Sequence, residues 1–302
     1  MIKINQVKEF EKVKPILISF CKENQLPEDK IDERLQVFEK HFNKDDSIYF
    51  LAFVNGETKG YISLDITTRI IQTGGLFVEK CEEYDNILLE LLSYSSKELQ
   101  SLNKEFFQCF FVRSLNIKQQ LENDNFNVYP RVKMVYDLIE NEIPEHSLHP
   151  EYKLDYFTLD KLDEELQVVV DANVSTLDGE IFRQFSDLDS LKELFSRGRM
   201  DTDRCRPDSP IVIKDGKIVG VNIIANNTET AAYVWIIALL PEHRGKGIGK
   251  YLMLKSHDNC KNAGKNQMVL DVTLGNKVAH GLYQKLGYKE TMRYLCVLKK
   301  YK

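Results

Sequence analysis

Apolar positions along this chain alternate between a strand-like and a helix-like period, and the whole alternation occurs twice. Ile2 to Val7 reads as a short strand, and over Glu9 to Asn24 the residues Phe10, Val13, Ile16, Leu17 and Phe20 recur at helical spacing. A second helix is predicted from Pro27 to Phe42. Ser47 to Val54 and Lys59 to Ile66, rich in Ile, Tyr, Phe and Val, flank Asn55-Gly56, a pair suited to the left-handed conformations of a tight hairpin. A strand over Ile70 to Val78, a helix over Asp85 to Leu102, a strand over Phe106 to Val112, a short helix over Asn116 to Glu122 and a strand over Arg131 to Leu138 complete the first set. The predicted order is β-α-α-β-β-β-α-β-α-β.

Two prolines and two histidines in the polar stretch Asn141 to Pro150 mark a linker, after which the order repeats. Tyr152 to Thr158 is a strand; Asp160 to Leu177 and Asp187 to Met200 are helices. Pro210 to Lys214 and Lys217 to Ile224 form a hairpin through Asp215-Gly216. The strand Ala231 to Leu240, a glycine-rich turn, a helix to about Asn262, a strand over Gln267 to Val272, a helix over Asn276 to Leu286 and a strand over Met292 to Leu298 come next. The pattern predicts an α/β chain with a mixed sheet and one architecture used twice, over residues 1–145 and 146–302.

Composition fits ordered domains, with 43% hydrophobic and 29% charged residues in 302. The longest unbroken apolar run, Ala231 to Leu240, has ten residues. A helical membrane crossing needs about 18 to 20. The first residues carry no basic stretch leading into an apolar one, so no secretory leader is expected and a cytoplasmic protein is. The six cysteines are widely scattered, which predicts reduced thiols and no metal site. Charge is uneven: 18 Lys and Arg against 25 Asp and Glu through Glu145 (net −7), then 23 against 21 (net +2). A nucleic-acid partner would call for a strongly basic domain, whereas the second half remains able to receive an anion.

The most informative segment is Arg244-Gly245-Lys246-Gly247-Ile248-Gly249, between an apolar strand ending at Pro241 and an amphipathic helix. Glycines let the backbone curl with its N–H groups inward, and the helix beyond them adds unpaired donors and a partial positive charge. Such a seat suits a phosphate or diphosphate. A dinucleotide fingerprint would require glycine at position 250, which is Lys250; a Walker loop would require glycine at Arg244 and Ser or Thr at Tyr251. Three glycines also suit a plain tight turn, so a second constellation carries weight. Asn276 to Tyr288 holds an N-cap residue, a helical stripe of Val278, Ala279, Leu282 and Leu286, and Gly287 as a helix stop.

Together these residues resemble the GNAT superfamily of N-acetyltransferases. Leu239 to Gly249 is similar to its acetyl-CoA loop, Arg/Gln-x-x-Gly-x-Gly/Ala, and Asn276 to Tyr288 to its second signature, Asn-x-x-Ala-x-x-Leu-Tyr-x-Lys-x-Gly-Phe/Tyr. The resemblance implies a tandem GNAT fold, with acetyl-CoA as cosubstrate. It places the diphosphate on the backbone from Gly245 through Lys246, Gly247, Ile248 and Gly249 to Lys250, behind Arg244. Ile237, Ala238 and Leu239 would hydrogen-bond the pantetheine arm, with Asn276 and Tyr283 beside the thioester. The acceptor implied is a primary amine on a small molecule or a peptide, with no nucleic acid or membrane partner. Oligomeric state is left open.

Acyl transfer needs a neutral amine, and deprotonating a lysine-like amine at pH 7 costs about 4.6 kcal/mol. Family members often carry Glu or His on the strand before the loop, but Ala231 to Ile237 offers neither. Asp271 matches the place of a glutamate base in some peptide N-terminus acetyltransferases of the family and is the first candidate; a structurally paired aspartate is the plain alternative. Tyr283 would donate a hydrogen bond to the leaving thiolate, since full proton transfer is uphill by roughly 2 kcal/mol. The missing strand carboxylate also admits a second class of protein, a non-catalytic acetyl-CoA sensor or interaction module.

In the first half the equivalent strand runs into Glu79-Lys80-Cys81-Glu82-Glu83, with no glycine loop, so one acetyl-CoA per chain is expected. Asp201, Asp203 and Asp208, interleaved with Arg204 and Arg206, lie where the family's acceptor loop falls.

Overall fold

The structure, a computed structural model, describes residues 1–66, 69–195 and 209–301. The chain divides into two compact units, Met1–Pro130 with Tyr294–Lys302, and Arg131–Arg293. Unit 1 contains β1 (Ile2–Val7), α1 (Phe10–Glu23), α2 (Glu28–Phe42), β2 (Ser47–Val54), β3 (Glu57–Ile66), β4 (Ile70–Val78), α3 (Tyr84–Glu98), β5 (Phe106–Val112) and α4 (Lys118–Asn123). Its strands lie in the order β1-β2-β3-β4-β5, antiparallel except for β4 against β5.

Unit 2 takes most of β6 (Asn127–Asp137), then β7 (Lys153–Tyr156), α5 (Leu162–Asn173), α6 (Leu177–Ile181) and α7 (Leu188–Leu194). Beyond these come β8 (Pro210–Lys214), β9 (Lys217–Asn226), β10 (Ala231–Leu239), α8 (Ile248–Asn262), β11 (Gln267–Thr273) and α9 (Lys277–Leu286). The order is β6-β11-β10-β9-β8-β7, again with one parallel pair, β10 against β11. Both hairpins predicted from an Asx-Gly pair are present, with positive φ at Asn55, Gly56, Asp215 and Gly216.

Each unit is closed by a strand from the other half of the chain. Arg131 to Asp137 of β6 pair with Thr273 to Gln267 of β11 inside unit 2. Leu295 to Lys300 of β12 (Lys289–Lys300) pair with Val112 to Phe106 of β5 inside unit 1. Each strand buries its inward side chains in the unit it closes: Val132, Met134 and Tyr136 with Met268 and Leu270, and Leu295 and Val297 with Phe107 and Cys109. A strand's alternation specifies which face is buried and not which neighbour it joins.

In each unit helices cover both faces of the sheet. In unit 1, Val13, Ile16 and Leu17 pack on Tyr49, Leu51 and Tyr61 of one face, while Ile87, Leu88 and Leu91 pack on Phe50, Ile62 and Leu64 of the other. In unit 2, Val169 and Leu191 meet Val221 and Ile223, while Met253 meets Val234 on the opposite face.

The helix expected over Asp160 to Leu177 is broken. Asn173 turns its amide onto the Val169 carbonyl at 2.8 Å, and Ser175 takes φ +57. Thr176 then caps a new helix by accepting from the Gly179 N–H at 3.0 Å, which makes Asp178 a first-turn residue of α6. The helix expected from Asp187 begins as α7, capped by Asp187 accepting from the Ser190 N–H at 2.8 Å.

Candidate functional site

The glycine junction of unit 2 is built from the end of β10. A bulge at Trp235 shifts the register against β9 between Val234 and Ile236. Parallel pairing of β10 with β11 covers Ala231–Gln267, Ala232–Met268 and Tyr233–Val269, so the two strands part beyond Tyr233. Ile237, Ala238 and Leu239 lie on the parted length, paired with Asn222, Val221 and Gly220 of β9 on their other edge.

Past Leu240 a short 3-10 turn over Pro241–His243 leads into Arg244. Gly245 and Gly247 adopt φ of +74 and +80, and a Cβ on either would meet nothing within 4 Å. These two glycines are therefore required by backbone conformation and not by crowding. Gly249 needs neither allowance: its φ is ordinary, and a Cβ would make only van der Waals contact with Leu282 at 3.8 Å. Gly247 caps α8, whose first internal hydrogen bond is Tyr251 N–H to the Gly247 carbonyl at 3.0 Å. Among the described residues no acceptor meets the N–H groups from Gly245 to Lys250. Six unpaired donors thus lie along one short turn, with Ile248 buried beneath it against Val212 and Leu252. A chain of free main-chain donors over a helix N-terminus fits a diphosphate.

Arg244 turns away from that opening. Its Nε donates to the Leu239 carbonyl at 3.0 Å and its Nη2 to the Ala172 carbonyl at 2.7 Å, tying the loop to β10 and to the end of α5. The buried amide of Asn222 on β9 donates to Ser256 Oγ at 2.8 Å and fixes α8 to the sheet. Lys246 and Lys250 are exposed.

The second constellation lies at the end of β11. Asn276 caps α9 by accepting from the Ala279 N–H at 3.1 Å, and its Nδ2 donates to Asp178 at 2.7 Å. Thr273 Oγ1 donates to the other carboxylate oxygen of Asp178 at 3.2 Å. Tyr283, one to two turns along α9, is 5% exposed. Burial raises its phenol well above the ordinary value; the negative charge of Asp178 adds to this and Arg131 opposes it. Its hydroxyl makes no hydrogen bond among the described residues. The phenol therefore stays protonated and retains its donor.

Asp271, on β11, accepts from the Tyr233 hydroxyl at 2.8 Å, with Lys133 Nζ 3.9 Å from the same oxygen. Its second oxygen is buried without a partner among the described residues. The backbone carbonyl of Asp271 accepts from Arg131 Nη2 at 2.9 Å, and Arg131 stacks on Phe182.

Three neighbours in this cluster are not evident from sequence: Asp178, Tyr233 and Lys133. Asp178 is signalled only by the polar run Asn173 to Thr176 that breaks the preceding helix; Tyr233 and Lys133 reach Asp271 through strand register, which leaves no local trace. The charged residues Asp201, Asp203, Arg204, Arg206 and Asp208 lie outside the described residues. Among the described residues no group of three or more His, Cys, Asp or Glu is placed to hold a metal ion, and no helix is long and apolar enough to cross a membrane.

A mixed sheet whose parallel pair parts over a glycine-capped helix frames this site. Residues 176–288 match the acetyltransferase (GNAT) family. N-alpha-acetyltransferase 30 of Schizosaccharomyces pombe is 32% identical over 82 residues, covering 26% of this chain and 55% of that one. Aminoglycoside N(6')-acetyltransferase type 1 of Acinetobacter genomosp. 13 is 31% identical over 70 residues, covering 22% of this chain and 48% of that one. The matched stretch thus spans about half the length of these curated relatives. Two solved structures share the fold over the full chain. A GCN5-related N-acetyltransferase from Sphaerobacter thermophilus superimposes with a TM-score of 0.70 at 16% identity, covering 100% of this chain and 96% of that one. A tandem GNAT protein from the clavulanic acid biosynthesis pathway gives 0.62 at 11% identity, covering 100% and 99%.

Proposed function

We propose that this chain is an N-acetyltransferase that moves the acetyl group of acetyl-CoA to a primary amine of a small molecule or peptide by direct attack in a ternary complex. The observation that carries the reading is the run of free N–H donors from Gly245 to Lys250 at the mouth of the parted strands. Those donors would hold the diphosphate, the open edge of Ile237 to Leu239 would hold the pantetheine arm, and acetyl-CoA supplies the activated acyl carbon.

The chain's own residues account for the proton movements. The bound ammonium must first lose one proton to become the nucleophile; as its nitrogen then bonds to the acyl carbon and the carbon–sulfur bond breaks, a second proton leaves nitrogen for solvent and the sulfur must be stabilised. Asp271 is the proposed acceptor of the first proton, which makes the amine nucleophilic, and is linked outward through the Tyr233 hydroxyl bonded to it. Asp178, fixed by Asn276 and Thr273 and sensed by Tyr283, supplies a negative charge that favours a cationic amine. Tyr283 donates its hydroxyl hydrogen to the leaving sulfur without surrendering the proton. The relatives' names cover a protein α-amine and an aminoglycoside amine, so the acceptor is stated here as a class.

Thiol release from acetyl-CoA with a panel of amines tests the proposal. Turnover with any primary amine, lost in Asp271→Asn, supports it. Tight CoA binding with no turnover on any amine would replace it with the sensor reading.

A further inference from the structure

Unit 1 also opens where its parallel strands part, and different chemistry lines the opening. β4 and β5 pair only from Ile70–Phe106 to Gln72–Gln108. Beyond that point a cavity of about 340 Å³ is lined by Phe20 of α1, Leu76 and Phe77 of β4, Leu88 of α3 and Phe111 of β5. That size is in the range of small-molecule sites, about 300 to 1,000 Å³.

Two features set this opening apart from an ordinary surface dip. Phe111 is 43% exposed and adopts φ +61, at a bulge where the register against β12 shifts between Leu295 and Val297. A phenylalanine in the left-handed region is a strained conformation, of the kind concentrated at ligand sites. Its ring lies 4.7 Å from that of Tyr294, at the wall of the cavity. The rim is also charged: Lys80 and Arg113 line it, and neither forms an ion pair among the described residues. Glu23, which accepts from the Lys80 backbone N–H at 3.4 Å, is the third charged group of the lining and leaves one net positive charge. Acidic residues at 79, 82, 83 and 85 disfavour a diphosphate at the adjoining junction.

We propose that this cavity of unit 1 is a binding site for an apolar monocarboxylate, its hydrocarbon or aromatic body among Phe20, Phe77 and Phe111 and its carboxylate on Arg113. A guanidinium matches a carboxylate through paired hydrogen bonds, and a single net charge selects a monoanion over a polyanion.

The test uses the full chain with phenylpropionate and octanoate as probes, and phenylpropanol and octanol as uncharged counterparts. Calorimetry is read together with the rate of Cys81 alkylation by iodoacetamide, since Cys81 is exposed and lines the same cavity. The acids are expected to bind at one site and to slow Cys81 alkylation, with the alcohols about ten-fold weaker or more. Arg113→Gln is expected to weaken the acids about ten-fold and leave the alcohols unchanged. Acid binding is expected to persist in Gly247→Val, which separates this site from the junction of unit 2. Equal affinity for acids and alcohols, unchanged acid binding in a folded Arg113→Gln, loss of acid binding in a folded Gly247→Val, or no binding and no protection at millimolar acid would each overturn the proposal.

Discussion

Where β4 gives way to α3 the chain reads Glu79-Lys80-Cys81-Glu82-Glu83, and where β10 gives way to α8 it reads Arg244-Gly245-Lys246-Gly247. The strands that arrive at the two junctions correspond residue by residue. Each forms three parallel pairs with its neighbour, and each carries a bulge two residues later, at Gly74 in unit 1 and Trp235 in unit 2. The turns that leave these strands are unlike. In unit 1 the N–H of Tyr84 is taken by the Cys81 carbonyl at 3.2 Å, and among the described residues no positive φ occurs between 79 and 85. In unit 2 two left-handed glycines leave the donors open. The proposed anion seat is therefore a property of the short junction; the sheet beneath permits it without supplying it.

The sharpest way to break this comparison is Gly247→Val. A β-branched residue resists the left-handed conformation, and losing two charge-assisted main-chain contacts at about 2 kcal/mol each should weaken CoA binding about 1,000-fold by calorimetry. Cys81→Val at the unit 1 junction should leave CoA affinity unchanged. A Gly247→Val chain that binds CoA normally would remove the junction from the proposed chemistry.

A second difference concerns acid. His257 of unit 2 is fully buried, bonded through Nε2 to the Tyr288 hydroxyl at 2.9 Å and stacked on Tyr136. Burial, with nearby His146 adding to it, lowers its pKa to about 4. As pH falls below the ordinary 6.5, the unfolded chain accepts a proton that the folded unit refuses. Stability is therefore intact above pH 6.5 and lost progressively toward pH 4, by up to about 3 kcal/mol. Hydrogen exchange should show unit 2 peptides losing protection over that window, and His257→Gln should flatten the loss.

Smaller effects refine the site itself. Tyr283→Phe should lower kcat about ten-fold while CoA affinity stays within about two-fold, because the ring keeps its packing and only the donor is removed. Equal turnover would exclude Tyr283 from the reaction. Lys246→Ala and Lys250→Ala should each weaken CoA binding only about two- to five-fold, and the effect should shrink as salt is raised, as befits exposed charges.

The parts legible in the sequence are those written in local backbone chemistry. Asn276 caps α9 and Gly287 ends it at φ +98; both hairpins carry their Asx-Gly pairs; the glycines of the junction announce its curl. The parts that were not legible depend on partners far along the chain. The exchange of β6 and β12 has no local signature, because both strands show the same alternation. The Asp271–Tyr233–Lys133 cluster forms only when β10, β11 and β6 are laid side by side. Asp178 is hidden because the apolar period of α5 reads on into α6, and the break between them rests on the Asn173 amide and Ser175.

The exchanged strands also bear on the order in which the chain can be completed during synthesis. Unit 1 waits for a strand made more than 160 residues after the rest of its sheet, whereas the paired lengths of every strand of unit 2 lie within residues 131–293. The half that emerges first from the ribosome is thus the one that finishes last. Until then β5 presents an unpaired edge, exposed to mispairing with other chains.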